Sequence, residues 1–187
     1  MKTTLLFVLA AVLLCATGWA YFSYTSQPPA VELSVMRDRT DIFLAQPDAS
    51  EVFTLQEIDK HKWEPLRFRA QTISNYDYNP VYVAELAPSF VLLANPKERD
   101  NEVAKYKRDV QKAIDSINLQ QNSLPQSSVY VPIIREVNRL AGSKAKTKIM
   151  VNYSDLGENT ATFSIYKVQI RSLIKYHPDS VRKLFEK

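Results

Sequence analysis

The sequence predicts an α/β fold: a three-layer, mainly parallel sheet with helices on both faces, preceded by an N-terminal apolar segment. Two observations carry this prediction. Short segments with alternating apolar residues, such as VELSVMR at 31–37, are interleaved with longer segments whose apolar residues recur every three or four positions. Strands that alternate with helices are typical of a parallel sheet covered on both faces. With 187 residues, 45% of them hydrophobic, the chain is long enough for one domain with a buried core.

The N-terminal apolar segment, residues 5–22, follows Lys2 and lies at the lower length limit for a membrane span. A positive start, an apolar centre and small residues afterwards are equally typical of a secretory signal. We therefore assign residues 1–22 as a signal peptide or membrane anchor and residues 23–30 as a tether. Either alternative places the body outside the cytoplasm, at the cell envelope.

Cys15, the only cysteine, offers a third mode of attachment. In a lipoprotein signal the cysteine is acylated and becomes the new N-terminus. Such signals usually have a small residue before the cysteine, whereas Leu14 stands here. Lipidation at Cys15 therefore remains an alternative beside a transmembrane anchor and a cleaved signal.

The elements of the body follow from periodicity and from capping residues. Strands are predicted within residues 31–37, 65–74, 81–87 and 145–156, the second and third as a hairpin. Helices are predicted within residues 47–60, 97–120, 127–142, 161–176 and 178–187. We expect the core to include Val35, Ile114, Ile134, Ile149 and Val151. Glu32 and Ser34 make the first strand more polar than a central strand is expected to be.

Two predicted strands end in acid and hydroxyl residues, RDRTD at 37–41 and NYSDL at 152–156, and a serine pair at 127–128 opens a helix. Binding groups in parallel sheets gather beyond the carboxyl ends of the strands. Carboxylate and hydroxyl oxygens suit hard cations such as Mg²⁺. Asp, Ser and Thr are also ordinary turn and cap residues, and that interpretation stays open.

This order of motifs resembles the von Willebrand factor type A domain, which carries a metal-ion-dependent adhesion site. Asp38 and Thr40 match the first two ligands of the D-x-S-x-S loop, with Thr in place of Ser. Ser128 matches the second loop and Asp155 the third. Ile42 stands where the last Ser of the first loop is expected and offers no ligand atom. The resemblance implies a weakened site for Mg²⁺ or Mn²⁺ at these four positions.

The segment KIMVNYSDLGENTATFSIY, residues 148–166, is also similar to stretches of predicted secreted bacterial proteins, a variant group of this fold. The resemblance covers residues 31–187. The family normally adds at least one more strand and a helix after the point where this chain stops, so we expect a smaller sheet or a shortened version of the fold.

The function implied by the resemblance is protein recognition at the cell envelope, because the metal of such sites completes its shell with an acidic side chain from a partner. A metal-free structural component of an envelope or secretion assembly is the alternative. A cation-dependent hydrolase is disfavoured because no general base or nucleophile stands beside the motif, so we expect no enzyme. The positive excess lies after residue 134, and the long charged helix is better explained as a solvated face than as a nucleic-acid reader.

Overall fold

The computed structural model describes residues 12–19, 22–24, 26–39, 45–73, 79–91, 94–119, 128–157 and 179. The strands of the body are β1 (Val31–Asp38), β2 (Leu66–Ile73), β3 (Val81–Leu86) and β4 (Thr147–Tyr153). Its helices are α1 (Ala49–Leu55), α2 (Pro96–Leu119) and α3 (Tyr130–Gly142). The predicted α/β fold is thereby confirmed.

The four strands form one sheet in the order β3-β2-β1-β4. β1 pairs in parallel with β2 and with β4, while β3 pairs antiparallel with β2 as the predicted hairpin. Val31 lies opposite Leu66 and Thr147, so the amino ends of the three parallel strands meet at one end of the sheet. We call this end the amino pole and the opposite end the carboxyl pole. Leu86, the last residue of β3, lies opposite Leu66 and therefore at the amino pole.

The main hydrophobic cluster joins one face of the sheet to α2. Leu33 and Val35 of β1 and Phe68 of β2 are almost completely buried in it. The apolar stripe predicted for the long helix is confirmed, because all of its members are buried: Val103, Tyr106, Val110, Ile114 and Ile117. Each fully buried side chain of this size contributes about 1.5–3 kcal/mol of transfer free energy, so this cluster is the main source of stability.

α1 begins after Asp48, which caps its amino end. The Asp48 side chain accepts a hydrogen bond from the Ser50 backbone N–H at 3.1 Å, which satisfies one of the unpaired donors of the first turn. Val52 of this helix is buried in the main cluster. Beyond the helix, the buried Gln56 amide donates to the Arg67 carbonyl at 3.0 Å and accepts from the Tyr106 hydroxyl at 2.8 Å, which ties α1 to both β2 and α2.

The other side of β1 is polar. Side chains alternate along a strand, so Glu32 and Ser34 point away from Leu33 and Val35. All eight residues of β1 are nevertheless buried. β1 is a central strand despite this polarity. α3 supplies partners for the polar side chains, including Glu136, which accepts from the Ser34 hydroxyl at 2.6 Å.

Three of the five core predictions need correction. Val35 and Ile114 are buried as expected, but Ile134 is 50% exposed. The buried side chains of α3 are Pro132, Glu136 and Leu140, which leaves Ile134 on its outer side. Ile149 and Val151 are only partly buried, because β4 is the outermost strand on its side of the sheet within the described residues.

At the N-terminal side, residues 12–19 and 22–24 are helical, and Cys15 is exposed. Within the described residues, no helix combines the length and the apolar character needed to cross a membrane. The end of the predicted tether is bound to the body, since the Pro29 carbonyl accepts from the Lys146 N–H at 3.0 Å and the Ala30 N–H donates to the Pro65 carbonyl at 2.7 Å. The helices predicted at 161–176 and 178–187 lie outside the described residues, apart from Asp179, which is helical.

Candidate functional site

Asp38 occupies the carboxyl pole as the last residue of β1. It is 1% exposed, and its Oδ2 accepts a hydrogen bond from the Ser154 hydroxyl at 3.0 Å. This contact follows from the parallel register, in which Arg37 lies opposite Tyr153, so that the next residue of each strand comes to the same level. The structure therefore brings the ends of the first and last described strands together.

Asp155 follows Ser154 and is exposed. Its Oδ1 accepts from the Gly157 N–H at 2.7 Å, and the Ser154 hydroxyl accepts from the Leu156 N–H at 2.9 Å. Leu156 has a φ of 59°, a left-handed conformation that is uncommon for a residue with a side chain. The polar side chains of this segment thus organise a tight turn, which is the ordinary use of Asp and Ser in such positions.

Ser128 lies just before α3. It is 5% exposed, and its buried hydroxyl oxygen has no hydrogen-bond partner in the part of the chain that the structure describes. The next residue, Val129, packs with Met36 of β1 and Ile73 of β2, near the carboxyl ends of both strands. A buried hydroxyl that stays without a partner costs about 1–3 kcal/mol, so the Ser128 oxygen is a candidate ligand atom at this pole.

Thr40 lies outside the described residues, as do Asp41 and Ile42. Of the four predicted ligands, the structure therefore describes Asp38, Ser128 and Asp155. Across the described ranges, no cluster of three or more His, Cys, Asp or Glu side chains is arranged to hold a metal ion. Any cation at the carboxyl pole would depend on hydroxyl oxygens as much as on carboxylates.

A second polar arrangement, which we call the ionic cluster, joins α3 to the sheet. It consists of the buried carboxylates Glu32 and Glu136 with the cations Arg69 and Arg139, together with Ser34. The Arg139 guanidinium donates to Glu32 at 2.5 Å and to Glu136 at 2.7–3.0 Å. The Arg69 Nε donates to Glu136 at 3.2 Å from the neighbouring strand. Two buried carboxylates are thus bridged by one cation and supported by another.

The electrostatics of the cluster favour its charged form. Burial by itself would raise the pKa of Glu32, but hydrogen bonds from Ser143 and Arg139 and the Arg139 and Arg67 charges lower it below its ordinary value of 4.5. Burial by itself would lower the pKa of the Arg139 guanidinium, whereas the hydrogen bonds to Glu136 and Glu32 raise it. Glu32 and Arg139 therefore keep opposite charges where α3 contacts the sheet.

This cluster was not predicted from the sequence, although the signals were present. Glu32 and Ser34 are two residues apart and share one side of a strand. Glu136 and Arg139 are three apart and share one side of a helix. Both pairs interrupt otherwise apolar positions, so each needs a partner when buried. The missing information was that these two segments face each other.

The comparisons with known proteins add no relative: no protein-family model, no curated protein and no solved structure matches this chain.

Proposed function

We propose that this chain is an extracytoplasmic protein-recognition module, held at the cell envelope by residues 1–22, with a three-layer, Rossmann-like fold of the von Willebrand type A kind. The recognition surface is the carboxyl pole. The observation that carries the proposal is the pairing of two features there: a buried carboxylate, Asp38, in contact with the Ser154 turn, and the buried Ser128 hydroxyl without a partner among the described residues.

A hard cation, Mg²⁺ or Mn²⁺, fits these donors. Hydroxyl and carboxylate oxygens are its preferred ligands, and a cation would satisfy the Ser128 hydroxyl oxygen. Asp38, Thr40, Ser128 and Asp155 would hold it. When bound, the cation would attract an acidic side chain of a protein partner. We expect weak binding, because Ile42 stands where the family supplies another hydroxyl.

The second candidate is a metal-free structural component of an envelope or secretion assembly. It is favoured by the hydrogen bonds that the carboxylates already accept, from Ser154 to Asp38 and from the Gly157 N–H to Asp155. In this alternative the carboxyl pole is a well-ordered turn that a partner contacts directly. Neither candidate involves catalysis, and we expect no enzymatic activity.

Titration of Mg²⁺ into the full-length chain, with thermal unfolding as the readout, separates the two candidates. A dissociation constant on the order of 1 mM gives about 1.4 kcal/mol of stabilisation at about 10 mM Mg²⁺. Ser128→Ala should abolish this gain. Without Mg²⁺ it should leave stability unchanged or higher, since the hydroxyl it removes has no partner within the described residues.

Two further variants control for the turn. Asp155→Asn keeps an oxygen for the Gly157 N–H but loses the charge, so it should reduce the Mg²⁺ effect with little change in the metal-free protein. Ser89→Ala changes a serine that follows β3 at the amino pole, the opposite end of the sheet from the site, and should retain the full Mg²⁺ effect. A wild-type chain whose melting temperature does not respond to Mg²⁺ or Mn²⁺ would rule out the cation-dependent candidate and leave the structural one.

A further inference from the structure

An exposed apolar loop projects from the amino pole. Residues 87–91 leave the end of β3, and within them Phe90 is 46% exposed and Val91 is 60% exposed. The sequence continues with Leu92 and Leu93, which lie outside the described residues. Large apolar side chains that are exposed next to each other are typical of a contact surface.

The base of this loop is held firmly. The Arg99 side chain is fully buried and donates to the Ala87 carbonyl at 2.9 Å and to the Lys62 carbonyl at 2.6 Å. The Ser89 N–H donates to the Trp63 carbonyl at 3.1 Å, and the Phe90 carbonyl accepts from the Ala94 N–H at 2.9 Å. Phe90 is therefore exposed in a segment whose backbone is bonded to the body at Ala87 and Ser89.

The loop also contacts the chain that leaves the N-terminal apolar segment. The Tyr24 ring packs edge-on against the Phe90 ring with a centroid distance of 5.4 Å. Tyr24 is two residues beyond Phe22, the end of the apolar segment, and two residues of chain span at most about 7 Å. Trp19 and Phe22 within that segment are 74% and 70% exposed. Phe90 thus lies close to the point where the apolar segment ends.

We propose that the loop around Phe90 and Val91 enters the interfacial layer of the lipid bilayer that holds residues 5–22. The inference rests on the membrane attachment in the proposed function. Since Tyr24 binds Phe90, a bilayer containing the apolar segment must lie within reach of the loop. Aromatic side chains favour the boundary between lipid and water, so Phe90 and Val91 leave water when the body is attached.

The orientation of the whole body follows from this contact. The loop lies at the amino pole, and Asp38 lies at the other end of β1, seven residues from Val31. At about 3.3 Å per residue, the two poles are separated by about 23 Å. The bilayer therefore contacts one pole, and the carboxyl pole with Asp38 and Ser154 points away from the lipid, where a protein partner has access to it.

Thiol accessibility in full-length protein tests the proposal. Val91→Cys and Ile134→Cys are introduced separately, and the chain is reconstituted into phosphatidylcholine–phosphatidylglycerol vesicles and treated with a membrane-impermeant maleimide. The unsubstituted chain, with Cys15 alone, gives the background. Val91 is 60% exposed and Ile134 is 50% exposed, so in the absence of lipid the cysteine at position 91 should react at least as fast as the cysteine at position 134. In the vesicles we expect it to react several-fold more slowly, because lipid excludes the water that thiolate formation needs.

Each outcome is informative. Equal rates at the two positions in vesicle-bound protein would overturn the loop proposal and leave the attachment intact. Protein that fails to float with the vesicles would overturn both the attachment and the loop proposal. Protection at position 91 that disappears when the protein is diluted into more lipid would show that a second copy of the chain, and not the bilayer, covers the loop. Protection that persists on dilution supports the proposal.

Discussion

The two sides of β1 are built from opposite chemistry. On one side, Leu33 and Val35 pack against the apolar stripe of α2, and on the other, Glu32 and Ser34 bind the charged side chains of α3. Both sides are equally buried. An apolar contact has no directional preference, so it stabilises the fold without specifying a unique position for the helix. An ionic contact specifies the position, because each buried carboxylate must meet its donors at hydrogen-bonding distance.

The comparison assigns different roles to the two helices. Stability should come mainly from the α2 side, where most of the buried side chains are apolar. On the α3 side, the desolvation of Glu32 and Glu136 offsets much of the attraction to Arg139, so an intact cluster contributes little net stability. Breaking it is nonetheless costly, because a buried charge is left without a partner. The following predictions test this contrast.

The largest effect is expected on the apolar side. Phe68 is completely buried in the main cluster, so Phe68→Ala should lower the free energy of unfolding by about 3–5 kcal/mol through lost transfer free energy and a residual cavity. Urea unfolding of the detergent-solubilised full-length chain, followed by circular dichroism, measures it. Phe90→Ala is the matched control, since Phe90 is 46% exposed and should cost far less. Equal losses in the two variants would contradict the assignment of the core.

On the ionic side, Arg139→Ala should lower the free energy of unfolding by about 3 kcal/mol near neutral pH, the lower part of the range for a broken buried pair, since Arg139 is 30% exposed. The loss should depend on pH. With Arg139 present, the pKa of Glu32 is lowered, so its stabilising contribution is present above about 4.5 and is lost as the pH falls further. Without Arg139, two of the interactions that lower the pKa of Glu32 are lost, so its pKa should rise relative to that in the wild type, and protonation should relieve the buried charge at a higher pH.

The difference between wild type and Arg139→Ala should therefore shrink as the pH falls below about 4.5. Urea unfolding at a series of pH values provides the measurement. Arg108→Ala removes an exposed arginine from α2 and should change stability by less than about 0.5 kcal/mol at every pH. A difference for Arg139→Ala that stays constant with pH would mean that Glu32 does not depend on this cation.

The contrast between the sides also explains which features the sequence revealed. The α2 stripe was predictable because one periodic pattern, from Val103 to Ile117, contains all the information needed. The strands and the hairpin were predictable for the same reason. The ionic cluster was not, because Glu32 and Glu136 are far apart in the chain and only the tertiary fold brings them together. A local sequence pattern predicts which face of an element is buried. The partner of a buried charge depends on which elements face each other, and a local pattern does not contain that information.

The same limit applies to the carboxyl pole. The sequence indicated that the ends of β1 and β4 would carry acids and hydroxyls, and the structure brings Asp38 and Ser154 together. The sequence alone did not show whether the Ser154 and Asp155 side chains accept hydrogen bonds from the backbone of their own turn or bind a metal. The same residue types occur in turns and in metal sites. The contribution of Thr40 stays a prediction, because it lies outside the described residues.

The smallest effects are expected at two of the three isoleucines that the sequence placed in the core, Ile149 and Ile134. Ile149 packs partly against the main cluster from β4, so Ile149→Ala should cost about 1–2 kcal/mol, less than the ~2–5 kcal/mol of a fully buried site. Ile134 is 50% exposed on α3, so Ile134→Ala should stay within about 0.5 kcal/mol. The same urea titration measures both. A loss at Ile149 as large as that at Phe68 would mean that β4 is covered as fully as β1. A loss at Ile134 equal to that at Ile149 would mean that α3 contacts the sheet through its apolar flank and would remove the contrast between the two sides.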